Sequence, residues 1–353
     1  MRGKINFAIM IRSVIAEDSF KGCLSSAEVA GAVEKGIRLA RPEAAVVKVA
    51  VADGGEGTVD ALAEGGAMKI CATVSDPLGR PVNAVYAIKE NTAIIEVASA
   101  CGLALLRPEE RNPLVTSTRG VGELIMDAID RGCSKFLIGL GGSATNDGGR
   151  GMVEVPGLLE AAEGLEFTVA CDVDTPFVGP VGASRVFAPQ KGAGPEDVEI
   201  LEKRMQEYAL RILEETGVDV RDMKGAGAAG GLGGAFKAYF GADLRPGVDM
   251  VLDAVGFDDM ISGADLIITG EGRSDFQTPK GKTPSGVLER ARRQGIPVAL
   301  ISGAVCDLEE LIRIGFGRII AATPEDMSLE EALRPETAKD NLCRAAMKLM
   351  EEI

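Results

Sequence analysis

The sequence contains no histidine and no tryptophan, and only 4% of its residues are aromatic. Without histidine there is no Ser-His-Asp or Cys-His nucleophile and no imidazole metal ligand. Proton transfer near neutral pH then falls to a carboxylate, Lys, Tyr or Cys. Positive charge is also scarce: 38 Lys+Arg stand against 53 Asp+Glu, a net charge of −15. Such a surface repels nucleic acid and anionic membranes unless a local basic stripe intervenes. The basic clusters are short, as at Arg290, Arg292 and Arg293, and read as a solvated helix face. Neither nucleic acid nor membrane is an expected partner. No apolar run approaches the roughly 20 residues of a membrane span. The apolar stretch 5–11 follows basic residues, but Arg12 interrupts it and Glu17 and Asp18 come next, so it reads as strand and not as a signal peptide. The seven cysteines are dispersed and form no C-x-x-C, which predicts free thiols in a reducing cytoplasm.

Glycine is what the chain has in excess, 45 of 353 residues, nearly twice the usual share of about 7%. It clusters between apolar runs, as tight loops require. The length predicts two domains. Short apolar runs at 14–16, 46–51, 94–97, 136–140, 167–170, 266–268, 298–301 and 319–321 read as strands. Several are continuous, which suits strands covered on both faces. Helical patterns lie between them. Ser25 and Ser328 open capping boxes, Thr118 is a candidate cap, and Pro195 and Thr283-Pro284 start further helices. This alternation predicts an α/β fold with largely parallel sheets. The region 76–261 is richest in Gly loops and holds a hairpin-like pair at 83–88 and 93–97. It reads as a domain inserted into one formed by 1–75 plus 262–353.

Four segments run from an apolar strand straight into polar, Gly-rich residues. They are Glu17-Asp18-Ser19-Phe20-Lys21-Gly22, Asp53-Gly54-Gly55-Glu56-Gly57-Thr58, Gly141-Gly142-Ser143-Ala144-Thr145-Asn146-Asp147-Gly148-Gly149, and Glu271-Gly272-Arg273-Ser274-Asp275 with Gly281-Lys282-Thr283 beyond. In parallel α/β sheets ligands bind at the carboxyl ends of strands. Glycines there let amide N–H groups point at a phosphate. Lys21, Arg273 and Lys282 could neutralise phosphate or carboxylate. Asp18, Asp53, Glu56, Asp147 and Asp275 could hold Mg²⁺ or deprotonate a hydroxyl. Asp and Gly after a strand are also ordinary turn chemistry. Four such loops in a chain without histidine favour phosphoryl transfer.

Two motifs mislead. Gly225-Ala226-Gly227-Ala228-Ala229-Gly230 fits G-x-G-x-x-G, but residues 220–224 make a poor strand, so a nicotinamide-dinucleotide site is not expected. A Gly/Ala loop for close packing or phosphate approach fits better. Gly281-Lys282-Thr283 ends like a Walker A loop, but Phe276 stands where the first glycine is required. Asp172 and Asp174 are candidate metal ligands or bases, and Pro189-Gln190-Lys191-Gly192 is a basic turn; alone, both read as surface loop chemistry.

At these residues the chain resembles the type-I glycerate kinases. The matching blocks run from Asp18-Ser19-Phe20-Lys21-Gly22 through Ala52-Asp53-Gly54-Gly55-Glu56-Gly57-Thr58, the 139–149 loop, Ala170-Cys171-Asp172-Val173-Asp174, Pro189-Gln190-Lys191-Gly192-Ala193 and the 225–233 run. They continue with Thr269-Gly270-Glu271-Gly272-Arg273, Asp275, Gln277, Gly281 and Lys282. Departures are Glu17 in place of a proline, Arg119-Gly120-Val121-Gly122 before Glu123, Arg150 in place of a small residue, and a stretch between Met152 and Ala170 that looks short. The resemblance implies a flavodoxin-like domain formed by both chain ends with a second α/β domain inserted. It also implies ATP and Mg²⁺, and phosphorylation of D-glycerate, more often to 2-phosphoglycerate.

On that resemblance, the catalytic candidates are Asp53, Asp275, Lys21 and Asp18, with Asp53 and Asp275 as base and metal ligand in either order. Arg273, Ser19, Glu56, Asn146, Asp147 and Gln277 are candidates for substrate. Lys282, Gly141, Gly142, Ser143, Lys191, Gly227 and Gly230 are candidates for ATP phosphates. Asp53, Asp172 and Asp275 are the candidate metal ligands. The loops at 18–21, 53–56 and 271–275 are expected together at one sheet edge, with the 141–147 loop facing them across a cleft. The partners expected are D-glycerate and ATP, with homo-oligomerisation left open. The rival readings are a 3-phosphoglycerate-forming glycerate kinase or a kinase of a related small hydroxy acid, a nucleotide- or carboxylate-binding regulator without turnover, and an NAD-dependent hydroxy-acid oxidoreductase.

Overall fold

The computed structural model describes residues 11–55, 57–279 and 281–353. Most of the apolar stretch 5–11, and Glu56, lie outside the described residues. The strands, in chain order, are β1 (Arg12–Glu17), β2 (Ala45–Lys48), β3 (Met68–Ser75), β4 (Pro81–Lys89), β5 (Thr92–Glu96), β6 (Lys135–Gly139), β7 (Glu166–Ala170), β8 (Asp243–Arg245), β9 (Leu266–Gly270), β10 (Arg273–Ser274), β11 (Val298–Ser302), β12 (Ala304–Val305) and β13 (Arg318–Ala321). Each apolar run singled out in the sequence falls on one of these strands or overlaps it.

The chain forms two compact units, one of residues up to Asp53 with Val251–Ile353, the other Gly54–Met250. These joins, at 53/54 and 250/251, differ from the 75/76 and 261/262 expected from the sequence. Strand β3 explains the first difference: it pairs antiparallel with β4 along its whole length, so it belongs to the inserted unit's sheet. It alternates between exposed and buried residues, and its polar face hid it among the loops.

The unit formed by both chain ends has one parallel sheet in the order β13-β11-β9-β1-β2. Numbered within the unit, that is the flavodoxin-like order 2-1-3-4-5. Val14, Ile15, Ala16, Ile267, Ile268, Leu300 and Ile301 are all buried, as strands covered on both faces must be. The helix Ser26–Ala40 starts at a capping box in which Ser25 and Glu28 bond reciprocally. Its Val29, Val33 and Ile37 pack with Leu342, Ala346 and Leu349 of the helix Pro335–Glu351, over Ile15, Ile268 and Ile301. Gly36 allows that crossing, because a Cβ there would lie 2.2 Å from the Cys343 carbonyl oxygen. The helix Thr283–Arg293 packs on β9, β1 and β11. Strands β10 and β12 form a short parallel pair.

The inserted unit has a sheet in the order β3-β4-β5-β6-β7-β8, antiparallel from β3 to β5 and parallel from β5 to β8. The core fills with Ile95, Ile138, Val169, Leu124, Ile125 and Leu232. Phe136, Phe167, Phe236 and Phe240 gather at one spot, where the rings of Phe136 and Phe167 stack at 4.5 Å. All seven cysteines are free thiols. No helix among the described residues is long and apolar enough to cross a membrane.

Candidate active site

In the unit formed by both chain ends, chemistry collects where β1 and β9 end side by side. The chain leaves β1 toward β2 on one side of the sheet and leaves β9 toward β11 on the other. That reversal of direction is where open α/β sheets bind ligands. Asp18 is the first residue past β1, and its N–H donates to the carbonyl oxygen of Gly270 at the end of β9, 3.0 Å away. The N–H of Ser19 donates to Asp18 Oδ1 at 2.7 Å, and the Thr283 hydroxyl donates to Asp18 Oδ2 at 2.5 Å. Burial pushes the Asp18 carboxyl up to about 6; the Thr283 hydrogen bond opposes the rise, the charge of Asp53 adds to it, and the Ser19 N–H and Lys21 oppose it more weakly.

Three cations of this unit each stand against a carboxylate. Lys21 Nζ stands 3.4 Å from Asp53 Oδ2. Lys282 Nζ donates to Glu271 Oε2 at 2.9 Å. Arg273 Nε lies 3.5 Å from Asp275 Oδ2. Glu271 also accepts from the hydroxyls of Thr278 at 2.7 Å and Ser274 at 3.2 Å. Gln277 is exposed, and its N–H donates to Asp275 Oδ1. Asp18, Ser19, Lys21, Asp53, Arg273, Asp275, Gln277 and Lys282 therefore all lie in this unit, Arg273 on β10 and the rest in the segments that follow β1, β2 and β10. The sequence reading missed Thr283 as a site residue because it read it only as a helix start. Glu17, which closes β1, is fully buried with neither carboxylate oxygen hydrogen-bonded. Burial pushes its carboxyl well up, and Asp18 and Glu271 add to that.

The inserted unit carries the other candidates in loops after β6 and β7. Gly141 and Gly142 are exposed, whereas Ser143, Ala144, Thr145 and Asn146 are buried. Asp147, expected to meet substrate, instead accepts from Thr118 through both its N–H and its hydroxyl, and from the N–H groups of Gly149 and Gly151. Burial still pushes its carboxyl up against those bonds. Thr118, read as a helix cap, turns its hydroxyl to Asp147 and leaves the helix Arg119–Asp130 without a side-chain cap. Asn146 donates to the Ser184 hydroxyl. Asp172 Oδ1 accepts from the Gly247 N–H. Lys191, expected on ATP phosphate, is buried and donates to Ser143 and Thr145.

Gly227 and Gly230 serve close packing. A Cβ on Gly227 would lie 2.2 Å from the Pro176 carbonyl oxygen, and one on Gly230 2.1 Å from that of Thr145. Ala229, Gly230 and Gly231 all take left-handed φ values. No strand precedes this run, so the dinucleotide fingerprint fails on its context. Among the described residues no three acidic or thiol groups stand together as a metal cluster.

The sequence profile of the glycerate kinase family matches residues 13–158 and 153–353. The chain belongs to the glycerate kinase family. It is 40% identical to a Bacillus subtilis protein named glycerate kinase, over 97% of this chain and 98% of that one. It is 42% identical to the glycerate 2-kinase of Escherichia coli, over 96% and 97%. A crystal structure assigned as glycerate kinase 2 from Salmonella typhimurium LT2 superposes with a TM-score of 0.86 at 41% identity, covering 97% of this chain and 98% of that one. The two profile segments of the family meet at 153–158, inside the stretch that looked short. The B. subtilis alignment runs over 375 positions, so that relative carries residues this member lacks.

Proposed function

We propose that this chain transfers the γ-phosphoryl group of ATP to D-glycerate, at the 2-hydroxyl, giving 2-phosphoglycerate and ADP. The observation that carries this reading is the environment of Asp18. A carboxyl held by Thr283 and Ser19, with its pKa pushed up to about 6, suits a general base near neutral pH. Phosphoryl transfer asks chiefly for positioning, charge neutralisation and an in-line hydroxyl. The substrate hydroxyl oxygen bonds to the γ-phosphorus and its proton passes to Asp18. The bond from the γ-phosphorus to the bridging oxygen breaks, and ADP leaves.

Lys21 and Lys282 take the phosphate charge, each already poised against a carboxylate. Arg273, largely exposed, receives the glycerate carboxylate. Within the inserted unit, the exposed backbone of Gly141 and Gly142 carries amides of the kind that bind phosphate. Asp53 and Asp275 fit Mg²⁺, which needs only one or two protein carboxylates beside phosphate oxygens. When bound, the ion neutralises phosphate charge. Among the carboxylates expected to act, burial and two hydrogen bonds favour Asp18 as base over Asp53 and Asp275.

Coupling the reaction to enolase alone tests the assignment. Signal without a phosphoglycerate mutase is expected. Signal only with the mutase would move the acceptor to the 3-hydroxyl, and ADP release independent of D-glycerate would remove the reading.

A further inference from the structure

Lys191 ends the short turn Pro189–Lys191, and Gly192 follows with φ 103°. A Cβ at Gly192 would lie 2.3 Å from the Arg111 carbonyl oxygen, so only glycine fits this close approach beside the lysine. The side chain is 2% exposed. Its Nζ donates to Ser143 Oγ at 2.8 Å and to the Thr145 carbonyl oxygen at 2.6 Å. Neither acceptor carries a charge. The titratable groups that face it are the Cys101 thiol, pushed up to about 12 and therefore neutral, and the Asp147 carboxylate. Asp147 is itself engaged by Thr118, Gly149 and Gly151.

Burying an ammonium against neutral acceptors is costly, and burial draws Lys191 down to about 8. What this arrangement achieves is placement of one loop. The same loop is braced elsewhere: Leu103 N–H donates to the Gly142 carbonyl, Ala144 N–H to the Cys101 carbonyl, the Thr116 hydroxyl to the Ala144 carbonyl, and Asn146 to Ser184. The exposed Gly141 and Gly142 thus adjoin residues bonded to Cys101, Leu103, Thr116, Ser184 and Lys191.

We propose that Lys191 is a positioning residue that clamps Ser143 and Thr145 from inside the fold. It thereby holds the amides of Gly141 and Gly142 ready for a phosphate that it does not itself touch. The role in phosphate binding rests on the kinase reading above; the clamp does not.

Hydrogen exchange in the ligand-free protein separates the two. In Lys191→Met, the amide of Ala144 is expected to exchange on the order of tenfold faster or more, with β6 unchanged. With substrates, kcat should fall by a similar factor. Unchanged loop exchange together with a raised KM for ATP would mean direct phosphate contact and would overturn the clamp. Unchanged exchange with unchanged kinetics would overturn it as well. If Lys191→Met does not fold, Ser143→Ala removes one acceptor and keeps the lysine. Faster exchange of the same amide is expected there, and wild-type exchange would contradict the proposal. Loosened exchange in a protein without glycerate-dependent turnover would uphold the clamp and remove the kinase reading.

Discussion

The Thr283 hydroxyl lies 2.5 Å from the carboxylate of Asp18, although 265 residues separate them in the chain. The bond joins the loop after β1 to the first turn of the helix Thr283–Arg293, across the ends of β1 and β9. It favours the charged form of Asp18 while burial opposes it. Thr283→Ala should therefore move the acid limb of kcat/KM upward, by up to roughly one pH unit. A pH–rate profile from pH 5 to 8 checks this; an unmoved limb would separate Asp18 from the rate.

The same carboxyl links function to stability. The folded value for Asp18, about 6, lies above the ordinary 3.8. Its contribution to stability is therefore full below pH 4 and is lost as pH rises to about 6. At one decade per 1.36 kcal/mol, the loss is about 3 kcal/mol. Asp18→Asn escapes that loss, and thermal melts should show it more stable than wild type at pH 7 but not at pH 4.

Glu17 should behave similarly without a catalytic penalty. Its buried, unbonded carboxyl is pushed well up by burial, so its contribution to stability is full below the ordinary value of 4.5 and is lost progressively as pH rises above it. An unpartnered buried polar group costs roughly 1–3 kcal/mol. Glu17→Met should raise Tm, and the gain should be larger at pH 7 than at pH 4. A lower Tm at every pH would show that Glu17 has a partner after all.

Lys21 offers the opposite case. Its bond to Asp53 is long and its side chain is 67% exposed. Lys21→Ala should leave Tm nearly unchanged, since exposed pairs are worth about 0–1 kcal/mol, while turnover falls by orders of magnitude. Near-normal turnover would take Lys21 out of the site.

Gly230 tests the packing reading of the Gly/Ala run. With φ 70° and a Cβ that would lie 2.1 Å from the Thr145 carbonyl oxygen, Gly230→Ala should lower stability by roughly 2 kcal/mol or more. A wild-type melt with only a raised KM for ATP would return this glycine to phosphate binding.

The parallel strands β1, β6, β7, β9 and β11 were legible because their burial writes them as continuous apolar runs, whereas the parallel β8, β10 and β12 are too short to leave one; the capping boxes at Ser25 and Ser328 marked their helices by residue type alone. Strand β3 was not, because one of its faces meets solvent. The loops of the site were legible as Gly- and acid-rich segments after strands. Which residues act within them was not, because it depends on partners distant in sequence. Asp147 and Lys191 look like ligand-binding groups in the chain, and only the fold shows their bonds turned inward to Thr118, Gly151, Ser143 and Thr145. Thr283 looked like a helix start and proved to hold Asp18. The join at 53/54 escaped for the same reason as β3.

The most direct measurement is the rate of D-glycerate-dependent ADP formation by Asp18→Asn at saturating ATP and glycerate, beside its melt. A general base contributes about 10²–10⁴ to rate. A drop of that size in a protein at least as stable as wild type is the predicted result. A rate within a few-fold of wild type would contradict the assignment of Asp18 as the proton acceptor.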